Sequence, residues 1–143
     1  MSVPISAPFS WPIRVYYEDT DMSGVVYHAS YLRFLERART EWLRALGFSQ
    51  ERLKEELGVV FTVAGMEIDF LRPARLDDAL EATVELEGRK RASLNFVQTL
   101  RRADDAAAVL TRARVRAACV AMDSFKPCAL PGAIFAAVEA GRQ

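Results

Sequence analysis

At 143 residues the chain has the length of one domain, and a single domain over 1–143 is expected, long enough to bury roughly 68–70% of its unfolded surface. Lysine plus arginine and aspartate plus glutamate number 19 each, so no net charge draws the chain towards nucleic acid or an anionic membrane. Two cysteines, Cys119 and Cys128, and one histidine, His28, offer no metal-ligand constellation, and reduced thiols are the expected state.

Met1 to Pro12, with Pro4, Pro8 and Pro12, reads as a loose lead-in without the basic and apolar segments of a signal peptide. No apolar run approaches the ~20 residues a membrane helix needs, so a soluble, cytoplasmic protein without membrane insertion is expected. Ile13 to Glu18, aromatic and β-branched, reads as a strand that delivers Asp19-Thr20-Asp21 to the end of a sheet. Met22-Ser23-Gly24 is then a turn in which Gly24 can take a positive φ.

After His28 the spacing becomes helical. Tyr31, Phe34, Leu35, Ala38, Trp42 and Leu46 recur on one stripe, and Gly47 stops the helix as a C′ residue. Ser30 is a better cap than His28, so the helix is taken as Ser30 to Leu46, a rod of about 25 Å at ~1.5 Å per residue. A short second helix is signalled by Ser49 as N-cap, Phe48 and Leu53 as a hydrophobic staple, and Gly58 as its stop.

From Val59 the period becomes two. Met66, Ile68 and Phe70 alternate with Glu67 and Asp69; Leu80, Ala82, Val84 and Leu86 alternate with acidic residues and Thr83; Leu94, Phe96, Gln98 and Leu100 form one side of the next strand. Turns are read at Arg72-Pro73 to Asp78 and at Gly88 to Arg91. The last strand, about Ala106 to Met122, would span roughly 55 Å at ~3.3 Å per residue, so a bend near Ala117-Ala118 is expected. A helix with a wide apolar stripe must be covered, and only a sheet is left to cover it. The pattern is therefore α+β: an antiparallel five-stranded sheet wrapped around one long central helix.

The arrangement has a chemistry of its own. A helix N-terminus presents unpaired N–H groups and roughly half a positive charge, enough to polarise a carbonyl oxygen. Here it falls near His28 to Tyr31, and the preceding turn can return Asp21 to the same mouth. A carboxylate beside an oxyanion-type site is a minimal kit for attacking an acyl carbon, without a serine elbow or zinc. On the residues alone, Asp21 serves equally as an Asx-turn residue, and His28 as an ordinary helix-start residue.

Asp21-Met22-Ser23-Gly24-Val25-Val26-Tyr27-His28-Ala29-Ser30-Tyr31, with Glu36-Arg37-Ala38-Arg39 downstream, resembles the hotdog-fold acyl-CoA thioesterases of the 4-hydroxybenzoyl-CoA thioesterase family, most of all the bacterial subgroup associated with the Tol–Pal envelope system. The likeness extends to Arg72-Pro73-Ala74-Arg75-Leu76-Asp77-Asp78, Lys126-Pro127 and Leu130-Pro131; Met22-Ser23 departs from the small residues more usual there. The resemblance implies hydrolysis of an acyl-CoA to a free acid and coenzyme A. It makes Asp21 the catalytic carboxylate and the backbone of His28 the oxyanion site, with the His28 ring as orienter or proton donor. It also sets Gly24, Val25 and Tyr27 at the substrate mouth.

The basic run Arg89-Lys90-Arg91 is either a solvated turn or a clamp for the phosphates of coenzyme A, and Ser93 beside it is a candidate contact for the acyl group or pantetheine. Arg112, Arg114 and Arg116 read as cross-strand partners of acidic residues rather than as a site. The family implies no cofactor beyond the coenzyme of the substrate. Its implied assembly is a homotetramer built from hotdog dimers, with the active site between subunits and acyl carrier protein as a possible partner. The rival reading is a non-catalytic hotdog module that binds acyl-CoA or acyl carrier protein.

Overall fold

In the computed structural model, which describes residues 8–141, five strands and three helices follow one another as β1 (Phe9–Arg14), α1 (His28–Ala45), α2 (Gln50–Leu57), β2 (Val59–Phe70), β3 (Ala79–Arg89), β4 (Ser93–Arg102), β5 (Asp105–Ala121) and α3 (Gly132–Gly141). The strands form one antiparallel sheet in the order β1-β3-β4-β5-β2. The stripe of α1 is what the sheet wraps: Phe34, Leu35 and Ala38 have no exposed surface, and Tyr31 almost none. They share one core with Leu80, Leu94, Leu100 and Leu110 from β3, β4 and β5. Burying each such side chain stabilises the fold by about 1.5–3 kcal/mol, so the stripe alone accounts for several kcal/mol before ordering costs. No helix among the described residues is long and apolar enough to cross a membrane.

The second helix follows its sequence signals. Ser49 Oγ accepts from the Arg52 amide at 3.1 Å, Phe48 and Leu53 both join the core, and Gly58 closes the helix at φ 66°. The two cysteine Sγ atoms lie 3.6 Å apart as free thiols.

Other elements differ from the pattern reading. The first strand is Phe9–Arg14, not Ile13 to Glu18, and part of the supposed lead-in belongs to it; residues 1–7 lie outside the described region. Pro12 stands opposite Glu81 within this strand. A proline is tolerated there because β1 is an edge strand, paired on one side only. The segment read as the end of the strand is instead a 3₁₀ turn, Tyr17–Asp19. Helix α1 starts at His28, two residues before Ser30, with Tyr27 at the N-cap and no side-chain cap. Ser30 is buried in the first turn, where its amide donates to Tyr27 O at 2.8 Å.

Gly88 and Arg89 belong to β3 rather than to the turn, the ladder with β4 shifting register between Leu86 and Gly88. Irregularity near the end of β5 falls opposite Ala117 and Arg116, one residue from the expected place, but the extra residue, Ala64, is in β2. A Cβ on the neighbouring Gly65 would lie 3.3 Å from the Arg116 guanidinium, so glycine lets that side chain cross β2. Arg114 meets Glu87 at 3.6 Å, an exposed pair of little energetic weight. Helix α3 has no counterpart in the sequence reading: it is one apolar stretch after Pro131, held by Ile134 and Val138 in the core.

Candidate active site

The turn before α1 is tied down by backbone bonds at every step. The Asp21 amide donates to Val25 O and the Gly24 amide to Asp21 O, both at 3.0 Å, with Gly24 at φ 82°. A single-residue bridge joins Thr20 to Val26 and another joins Val25 to Arg75. The Val26 amide donates to Ala74 O at 2.8 Å, and the Ala74 amide to the buried Tyr31 hydroxyl at 3.0 Å. Thus the Leu71–Asp78 loop braces the turn from one side and the first helical turn from the other.

Asp19 supplies the remaining anchor. It is buried, its carboxylate accepts from the Tyr16 amide at 2.8 Å, and its carbonyl accepts from the Tyr27 amide at 2.9 Å. The sequence reading set Asp19 only at the end of the strand that delivers Asp21. Its Asp-x-x spacing from Tyr16 was the available signal, masked by the assumption of a continuing strand.

On this frame Asp21 is exposed. Its Oδ1 accepts from the Ser23 amide at 2.8 Å and from the Ser23 hydroxyl at 2.5 Å, and among the described residues nothing bonds to Oδ2. The Ser23 hydroxyl first, then its amide, hold the Asp21 carboxyl below the usual carboxylate range, with His28 adding the smallest contribution. His28 is exposed as the first residue of α1, its ring 4.4 Å from that of Tyr27 and edge-on to Phe70 at 6.5 Å. Among the described residues the His28 and Ala29 amides find no backbone acceptor, and no side chain caps them. Asp21, Gly24, Val25, Tyr27 and His28 are therefore brought together at one helix mouth. Phe70, half-exposed and 5.5 Å from the Tyr31 ring, completes it. Alternation had marked Phe70 only as a sheet residue.

Arg89, Lys90, Arg91 and Ser93 are not at that mouth. β3 begins at Ala79, beside the bracing loop, and eleven residues carry it about 35 Å to Arg89 at the other end. There Arg89 is paired with Glu139 and stacked 4.3 Å over the Phe135 ring, both on α3, while Lys90 and Arg91 are exposed in the turn and Ser93 is half-buried.

A cavity of about 470 Å³ opens between the C-terminal half of α1 and β2, lined among others by Arg39, Trp42, Phe61, Val63, Leu94 and Phe96. From His28 to Arg39 is eleven residues, about 16 Å along the helix axis, so within the chain the cavity and the Asp21 carboxylate are well separated.

Comparison with known proteins identifies the family of the chain. Residues 15–138 match the family model described as the thioesterase-like superfamily. The acyl-CoA thioesterase YbgC of Haemophilus influenzae is 48% identical over 129 residues, covering 90% of this chain and 93% of that protein. Among solved structures, a probable thioesterase from Bartonella henselae superposes with a TM-score of 0.82 at 37% identity, over 87% of this chain and 100% of that one. A 1,4-dihydroxy-2-naphthoyl-CoA thioesterase from Synechocystis gives 0.84 at 25% identity, over 92% and 96%.

Proposed function

This chain belongs to the thioesterase-like superfamily, and from that premise we propose that it hydrolyses acyl-CoA thioesters to a free acid and coenzyme A through the Asp21 carboxylate. The observation that carries the reading is an exposed carboxylate with one oxygen unengaged, fixed by a braced turn beside the two uncapped amides of α1. The thioester carbonyl oxygen accepts from the His28 amide, where the helix dipole stabilises the negative charge that develops on it. Asp21 attacks the carbonyl carbon, or takes a proton from a water that does. The carbon–sulfur bond then breaks, and coenzyme A leaves as a thiolate that takes up a proton; where Asp21 itself attacks, a water opens the resulting mixed anhydride, which releases the free acid and restores the carboxylate. The His28 ring, packed at a tilt against Tyr27, orients the substrate at the mouth.

The working unit is a dimer joined through β2, two of which make the tetramer. β2 is a twelve-residue edge strand with no partner on its outer side among the described residues, and such an edge favours pairing. A two-fold axis through its middle, near Ala64 and Gly65, sets Phe70 of one copy against Val59 of the other. The helix mouth beside Phe70 then faces the end of the partner where the cavity and the basic turn lie. Lys90 and Arg91 of one subunit thus serve the phosphates of a coenzyme bound at the other's mouth, with Ser93 alongside, and an acyl carrier protein would present its thioester by the same route.

The decisive experiment is steady-state hydrolysis with free-thiol detection by parent protein and Asp21→Asn. Asn still accepts from Ser23, so the thermal melt should stay put, while turnover should fall by about 10²–10⁴. Turnover within about threefold of the parent, in protein that melts normally, would reject a required carboxylate and favour a binding module.

A further inference from the structure

The cavity beside α1 holds one feature that an apolar acyl pocket does not need. Trp42, Phe61, Val63, Leu94 and Phe96 form its apolar walls, with Trp42 edge-on to Phe96 at 5.1 Å between centroids, and Glu36, Gln50 and Thr62 its polar ones. Into this lining the helix places Arg39. The Arg39 guanidinium donates to the Gln98 side-chain oxygen at 2.8 Å. Gln98 is fully buried and is itself fixed, its amide group donating to Leu35 O at 3.1 Å and Thr83 O at 3.2 Å. Its oxygen is therefore aimed at Arg39 by the backbone of both helix and sheet.

A guanidinium carries five donors, and among the described residues this one finds no acceptor besides Gln98. Glu36, one turn earlier at the rim, makes no ion pair with it. Burial lowers the Arg39 pKa, as expected for a cation only partly compensated. A fixed, incompletely bonded cation in a cavity of mixed aromatic and polar lining is a receptor for an acceptor atom.

We propose that Arg39, aimed by Gln98, makes this cavity select acyl groups that carry an acceptor oxygen (hydroxyl, keto or carboxylate) near their far end over hydrocarbon acyl groups of equal length. The inference rests on the thioesterase reading for delivery of the acyl group, since the partner's helix mouth faces this end of the cavity. The proposed function assigns the phosphates of coenzyme A to Lys90 and Arg91, which leaves the single Arg39 fork to the acyl group. Arg39 acts here on binding, and Gln98 is a positioning residue.

The test compares non-hydrolysable thioethers, S-hexyl-CoA and S-(6-hydroxyhexyl)-CoA, by calorimetry, alongside hydrolysis of hexanoyl-CoA and 6-hydroxyhexanoyl-CoA. Parent protein should favour the oxygenated member of each pair roughly ten- to hundredfold, the worth of one hydrogen bond to a charged group. Arg39→Leu should bring both ratios near one. Arg39→Lys, which keeps charge and stem but loses the fork, should lower them, as should Gln98→Met, with the change in KM rather than kcat. The lysine variant also decides the matter if the leucine variant does not fold. Equal binding of the two thioethers by the parent, or an unchanged ratio in a folded Arg39 variant, would overturn the proposal. Discriminating thioether binding without hydrolysis of either thioester would instead overturn the thioesterase reading and leave this one standing.

Discussion

Ser23 sets the working range of Asp21. Its hydroxyl and amide both donate to Oδ1, and together they keep the carboxyl ionised to lower pH than an ordinary aspartate. Ser23→Ala removes the larger of the two contributions and leaves the amide. The Asp21 pKa should then rise, and the acid limb of kcat/KM, which reports loss of the carboxylate, should move to higher pH in a pH–rate profile. An unmoved limb would mean that another group governs it. The same linkage has a sign for stability. A carboxyl whose folded pKa is depressed contributes stability above its unfolded value and loses it as pH falls through the folded one. Since Asp21 is fully exposed, that contribution is screened, and the kinetic profile is the better readout.

Element by element, the basic run divides in two. Arg89 is at the end of β3 and fastens α3 to the sheet through Glu139 and Phe135. Lys90 and Arg91, exposed in the turn, are the pair proposed to hold the phosphates of the coenzyme. Arg89→Ala should therefore act on stability: loss of a partly exposed ion pair and a cation–π contact amounts to about 1 kcal/mol, a fall of about 3 °C in Tm by calorimetry. Lys90→Ala with Arg91→Ala should leave Tm alone and raise KM for acyl-CoA with turnover nearly unchanged, because distant phosphate contacts hold ground and transition states alike. A short pantetheine thioester is the control. If it suffers as much as the coenzyme A ester, the two side chains do not bind phosphate.

For the whole molecule, pairing through β2 predicts a dimer or a multiple of it by light scattering, and it predicts complementation. Asp21→Asn spoils a helix mouth, while Glu36→Trp fills the rim of the cavity on the same chain. If each site joins the mouth of one subunit to the cavity of its partner, a mixed dimer of the two variants holds one intact site. An equimolar mixture refolded together should then recover about a quarter of the parental rate. If mouth and cavity of one chain work together, every mixed dimer is doubly spoiled and the rate stays at the sum of the parents' residues.

The sequence by itself determined the architecture that short-range physics dictates. The period of 3.6 from Tyr31 to Leu46 and the period of two from Val59 demanded a helix covered by a sheet, and Ser49, Gly47 and Gly58 marked their boundaries with local capping chemistry. The turn at Met22-Ser23-Gly24 was legible for the same reason, but the helix start was read two residues late, since the 71–78 loop braces it from a distance. What the tertiary structure decided rests on residues far apart in sequence. Phe9–Arg14 becomes a strand because β3 offers an edge where Pro12 needs no donor. Arg89 is claimed by a helix fifty residues further on. Arg39 and Gln98 meet across 59 residues, one an apparently ordinary surface arginine and the other an apparent flaw in an apolar strand face. Burial gives that pair its meaning, because a polar group removed from water must find its partner wherever the fold brings one.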